Sequence, residues 1–172
     1  MRIHFMSDLH LEFGGLNKPL PEGDILLLAG DITVVEYLKP HRTDPAARSI
    51  KKATQRLNDE IAKKFKRAYA VCGNHEAYGS IYAEAAEALQ EVLPAVKVMD
   101  CDHEVLGNNV LLFGAPLWTD MNGGNPLSMM AIQAGMNDFR AIKASLGDRP
   151  FTPQMAIEEF RKAMAYLTKL AE

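Results

Sequence analysis

Apolar residues along this chain fall into two rhythms, short unbroken runs and longer stripes at helical spacing. Residues 2–7, 24–29 and 68–72 are the short runs, and each predicts a strand. The string Ile25-Leu26-Leu27-Leu28-Ala29 has no polar alternation, as expected of a strand covered on both faces in a parallel sheet. Gly14, Gly15, Pro19, Pro21 and Gly23 mark residues 14–23 as loop. Over residues 46–66, Ile50, Ala53, Leu57, Ile61 and Phe65 recur at helical spacing, with lysines and arginines on the other face. A second helix is predicted over 80–93, with Ser80 as N-cap and Pro94 as the stop. Residues 95–99, 103–106 and 110–113 read as short strands, the last two joined by a hairpin turn at Gly107-Asn108-Asn109. A short helix follows over 126–134, ended by Met136-Asn137-Asp138-Phe139-Arg140. The last helix starts at Thr152-Pro153 and carries Ala156, Ile157, Phe160, Met164, Leu167 and Leu170 as its stripe. Strands alternating with helices, then a hairpin, predict an α/β layer protein with a central, mostly parallel sheet flanked by helices.

Composition narrows the classes. A chain of 172 residues fits one domain with a real core. A formal charge of −3 gives no extended nucleic-acid surface and no basic face for a membrane. No apolar run reaches membrane-spanning length, and the first residues read as a strand rather than a leader, so the expected compartment is the cytoplasm. Cys72 and Cys101 lack metal-binding spacing, and Cys72 reads as a small core residue.

What changes the picture is how the first strands end. The first runs into Asp8-Leu9-His10, the second into Gly30-Asp31 and the third into Gly73-Asn74-His75-Glu76. Each phrase alone is common. Together, in order, with helix-sized gaps, they predict strand tips delivering ligands to one place, since open α/β sheets bind ligands beyond the carboxyl ends of their strands. Carboxylates, an amide oxygen and an imidazole suit Mn, Fe, Zn, Ni or Mg rather than a thiolate cluster. Two such ions about 3.5–4 Å apart can share a carboxylate and a water that attacks phosphorus, while an imidazole protonates the leaving alkoxide. No glycine-rich phosphate loop follows the first strand, which disfavours a nucleotide-binding module. Glu12 is placed to support the first metal, and Glu76 to support His75 or Asn74. Trp118 and Asp120 could wall the site, while His4, His41 and His103 read as structural or surface residues.

These phrases, with Leu117-Trp118-Thr119-Asp120 and Met136-Asn137-Asp138-Phe139-Arg140, resemble the small bacterial and phage members of the calcineurin-like metallophosphoesterase superfamily. The resemblance implies a layered metallophosphoesterase fold and two divalent metal ions. Asp8 and His10 would bind the first ion, Asp31 would bridge, Asn74 would bind the second, and His75 would orient the phosphate or protonate the leaving group. It also implies hydrolysis of phosphomonoesters or phosphodiesters through a metal-bridging hydroxide, on a phosphorylated small molecule or a phosphodiester. The family's two later histidine motifs are missing here: the five histidines are His4, His10, His41, His75 and His103. Residues 1–172 are therefore expected to form a single, C-terminally incomplete domain without the second sheet, with a weak second metal site and uncovered apolar edges. The alternative expectation is an inactive or weakly active remnant that binds a metal or a partner.

Overall fold

The computed structural model describes residues 1–171 apart from Asn17, Asn108 and residues 146–148. Four strands, β1 (Ile3–Met6), β2 (Gly23–Ala29), β3 (Phe65–Val71) and β4 (Lys97–Val98), form one sheet in the order β1-β2-β3-β4. Every pairing in it is parallel. β5 (Asp102–Leu106) and β6 (Val110–Gly114) make an antiparallel hairpin; its turn residue Asn108 lies outside the described residues. The helices are α1 (Pro45–Lys64), α2 (Ala85–Val92), a single irregular turn α3 (Met121–Gly124), α4 (Pro126–Gly135), the short α5 (Asp138–Ala141) and α6 (Pro153–Ala171). None is long and apolar enough to cross a membrane.

The two faces of the sheet are covered unequally. Leu26, Leu28, Ala68 and Ala70 join Leu57 and Ile61 of α1 and Leu89 of α2 in the main core. On the other face, Ile25 and Tyr69 meet Met99 and Leu106 in a smaller core that the hairpin closes. Ile3 and Phe5 of β1 register with Ile25 and Leu27. Both side chains are exposed, Phe5 to 83%.

Several boundaries differ from the sequence reading, each for a local reason. α1 ends at Lys64, so Phe65 and Lys66 belong to β3 rather than to the helix. Phe65 turns into the core as the helix C-cap, and Lys66 instead reaches Asp24 at 2.8 Å. The second helix starts at Ala85, not Ser80. The Ser80 hydroxyl is spent on Glu36 at 3.1 Å, and the Ser80 carbonyl accepts from Lys143, so it caps nothing. Residues 136–140 do not simply end a helix: α4 stops at Gly135 and α5 begins at Asp138. The caps at Asp44 (to the Ala47 amide) and Thr152 (to the Met155 amide) explain why α1 and α6 start where they do.

Candidate metal centre

The parallel register carries the ends of β1, β2 and β3 to one side of the sheet, where Met6 aligns with Leu28 and Leu28 with Ala70. The loops keep pairing past the strands. The amides of Asp8, His10 and Leu11 donate to the carbonyls of Gly30, Asp31 and Ile32. Gly30 and Gly73 make this closeness possible, because a Cβ on Gly30 would stand 2.7 Å from the Gly73 nitrogen, and one on Gly73 would strike the Asp31 side chain.

Glu76 locks the two loops together. Its side chain is fully buried and accepts from four backbone amides: Asp31 at 3.1 Å, Ile32 at 2.6 Å, Thr33 at 3.1 Å and Gly73 at 2.7 Å. Burial pushes its acidity toward higher pH, opposed by those amides. Glu76 supports Asn74 and His75 through the backbone on which both ride rather than by touching their side chains.

On this frame Asp8, His10 and Asp31 converge, with one ligand atom from each lying within 4.8 Å of the others. His10 Nε2 lies 3.9 Å from Asp8 Oδ1 and 4.0 Å from Asp31 Oδ2. All three hold positive φ (55°, 43° and 54°), a conformation that costs about 1–3 kcal/mol and collects at functional sites. No lysine or arginine pairs with Asp8 or Asp31 among the described residues. Two carboxylates and an imidazole nitrogen facing one point, without a cation between them, fit a divalent ion by spacing and by donor type.

His75 stands next to this group, its backbone amide donating to Asp31 Oδ1 at 3.0 Å. Its ring stacks on Tyr78 (centroids 4.4 Å apart, 23°) and meets His10 edge-on at 4.4 Å. Asn74 donates through Nδ2 to the Tyr78 hydroxyl at 3.3 Å. Burial, then the nearby Asp138 carboxylate, raises the pKa of that tyrosine. Tyr78 and Phe13 escaped the sequence reading as site residues. Tyr78 lies four positions after Asn74, in the loop that any residue at the site would have to leave by. A cleft of about 480 Å³ opens beside His75, walled by Glu12, Phe13, Tyr37, Arg42 and Tyr78.

The remaining candidates sort cleanly. The Trp118 indole donates to Tyr82 at 3.0 Å and packs on Phe151 against the core, and the half-buried residue also lines a cleft with Gly73 and Asn74. Asp120 caps the Asn122 amide at 3.0 Å, which fixes its turn. His4 meets the Phe65 ring, His41 lies by Glu36, and His103 pairs with Tyr166. Cys72 is buried in the main core, as read.

The sequence matches the family model of the calcineurin-like phosphoesterases over residues 1–142, and the chain belongs to that family. Among solved structures, it is similar to phosphopantetheinyl hydrolase (PptH) from Mycobacterium tuberculosis, with a TM-score of 0.58 and 16% identity. The alignment covers 99% of this chain and 63% of that one, so the chain spans less than two thirds of the neighbour's length. At that identity the likeness speaks for the fold: a parallel sheet flanked by helices, of the metallophosphoesterase type. A second solved structure aligns at a TM-score of 0.38 and adds nothing to the assignment. No curated protein sequence matches the chain.

Proposed function

We propose that the protein is a metal-dependent phosphoesterase acting on phosphomonoesters or phosphodiesters. The observation that carries the reading is the convergence of Asp8, His10 and Asp31, on strained backbone, around a point that holds no side-chain cation among the described residues. Asp8, His10 and Asp31 hold the first divalent ion, and Asp31 with Asn74 serves a second. Divalent ions, when bound, supply an acidified water and offset the negative charge of the phosphate. The chain's own residues do the rest. The Asp31 carboxylate orients the His75 backbone, Tyr78 supports the His75 ring from one face, and His75 donates the proton to the leaving oxygen. The open cleft beside His75 receives the body of the substrate.

One observation favours a second reading, a metal-binding relative with little turnover. Among the described residues, only His10 and His75 of the five histidines reach the site, and neither is assigned as a ligand of the second ion. Hydrolysis of a nitrophenyl phosphodiester separates the two. The first reading expects turnover with Mn²⁺ that disappears on chelation and in Asp31→Ala. Turnover that survives chelation contradicts both readings, and saturable metal binding without turnover selects the second.

A further inference from the structure

Glu12 stands between the two imidazoles of the site. Its Oε1 lies 3.0 Å from His10 Nδ1 and 2.8 Å from His75 Nδ1, across 63 positions of sequence in the second case. The two rings meet almost at right angles, at 75°, so one oxygen can lie in the plane of each and use a separate lone pair for each. The side chain is only 6% exposed, and its second oxygen, Oε2, is buried without a partner among the described residues. Such a group costs stability that its bonds to two surface-facing rings do not repay, unless those rings must be held in one state.

We propose that Glu12 is a positioning residue that fixes His10 and His75 in the same tautomer, with the proton on Nδ1 in both. One oxygen shared by two ring nitrogens can serve both only as the acceptor, so the paired short contacts call for N–H on the ring side of each. The lone pair of His10 then lies on Nε2, the atom already 3.9 Å from Asp8 Oδ1 and 4.0 Å from Asp31 Oδ2. His75 likewise keeps Nε2 as its working atom, free to carry and release a proton at the substrate. One carboxylate thereby ties the ligand and the acid together, and moving either ring moves the acceptor of the other. The inference rests on the metallophosphoesterase reading for what the two rings do, but the tautomers themselves are a property of the metal-free chain.

The test is a long-range ¹H–¹⁵N spectrum of the histidine rings in the metal-free protein, at a pH where both are neutral. The expected result is the Nδ1–H form at His10 and His75. The Nε2–H form at either ring overturns the proposal, and this part needs no variant. Addition of Zn²⁺ is expected to move the Nε2 resonance of His10 and to leave Nδ1 protonated in both rings. Coordination through Nδ1 of either ring would mean that Glu12 and the two histidines are themselves a metal site, which also overturns it. In Glu12→Ala the tautomers are expected to shift, and calorimetric Zn²⁺ affinity to fall about 10–100-fold. Glu12→Gln, which keeps an acceptor oxygen of the same shape, restores part of that affinity. Unchanged tautomers and unchanged affinity in both variants contradict the proposal. Absent hydrolysis with Nδ1–H rings would instead sink the functional reading and leave this one standing.

Discussion

Two glutamates within one site show opposite ways of burying a carboxylate. Glu76 is saturated: four backbone amides point at it, and it joins the loop after β2 to the loop after β3. Glu12 is nearly as buried, yet one oxygen serves two imidazoles and the other has no partner among the described residues. The first satisfies the backbone and makes scaffold. The second bridges His10 and His75 through one oxygen and leaves the other buried and, among the described residues, unpaired, at the wall of the open cleft. The contrast teaches that burial alone does not identify a functional acid. What its oxygens touch does.

The largest effect expected from this contrast is on stability. Glu76→Ala leaves four backbone donors without their acceptor, at least two of them where water cannot easily replace it. A loss of about 3 kcal/mol or more is expected in chemical denaturation. A loss under about 1 kcal/mol would mean that the loops hold each other without the clamp.

A smaller effect separates the front of the site by pH. The hydrogen bond to Glu12, opposed by burial and aided by the charges of Glu12, Asp31 and Asp8, raises the pKa of His10 above the ordinary histidine value. A metal must displace that proton, so Mn²⁺ affinity is expected to weaken as pH falls, starting above the pH at which an ordinary histidine would begin to interfere. Metal-free stability runs the other way. With the folded pKa raised, the contribution of His10 is present in full below the unfolded pKa and is lost as pH rises through the folded one. Calorimetric titrations and melting curves between about pH 5 and 8 read both slopes. Slopes of the same sign would contradict the assignment.

The smallest effect belongs to a group remote from the site. Lys66, then the Arg2 amide, hold the Asp24 carboxyl down to about 2. Because the folded pKa is depressed, this contribution is present above the ordinary carboxylate range and is lost as pH falls through about 2. The group is exposed, so Lys66→Gln should blunt the acid end of the melting profile only slightly, and leave metal binding unchanged.

The sequence made the convergence of the candidate ligands legible because each is a polar break at the end of an apolar run, and a parallel sheet must bring such ends together. Asp8, His10 and Asp31 could be placed that way, and the Thr152 cap follows from the same local chemistry. What could not be read was the pairing across long separations. Glu12 was placed near the first metal, but its contact with His75 depends on how the β1 and β3 loops cross, which no spacing records. Glu76 was placed as a support for His75 or Asn74, but its reach inward to amides more than 40 positions away could not be read. The missed start of α2 has the same origin: Ser80 is a good cap by type, but Glu36 takes its hydroxyl. Phe65 continued the apolar stripe and Lys66 the charged face of the helix in sequence, and only the pull of the core and of Asp24 sets them in β3.

The central claim is that Asp8, His10 and Asp31 together hold a divalent ion. Calorimetric titration of Mn²⁺ into the metal-free protein, and into Asp31→Ala, tests it most directly. The account predicts saturable binding of at least one ion per chain that disappears in the variant, while the variant keeps its fold because Glu76 still clamps the loops. Binding of equal strength and stoichiometry in both proteins would contradict it.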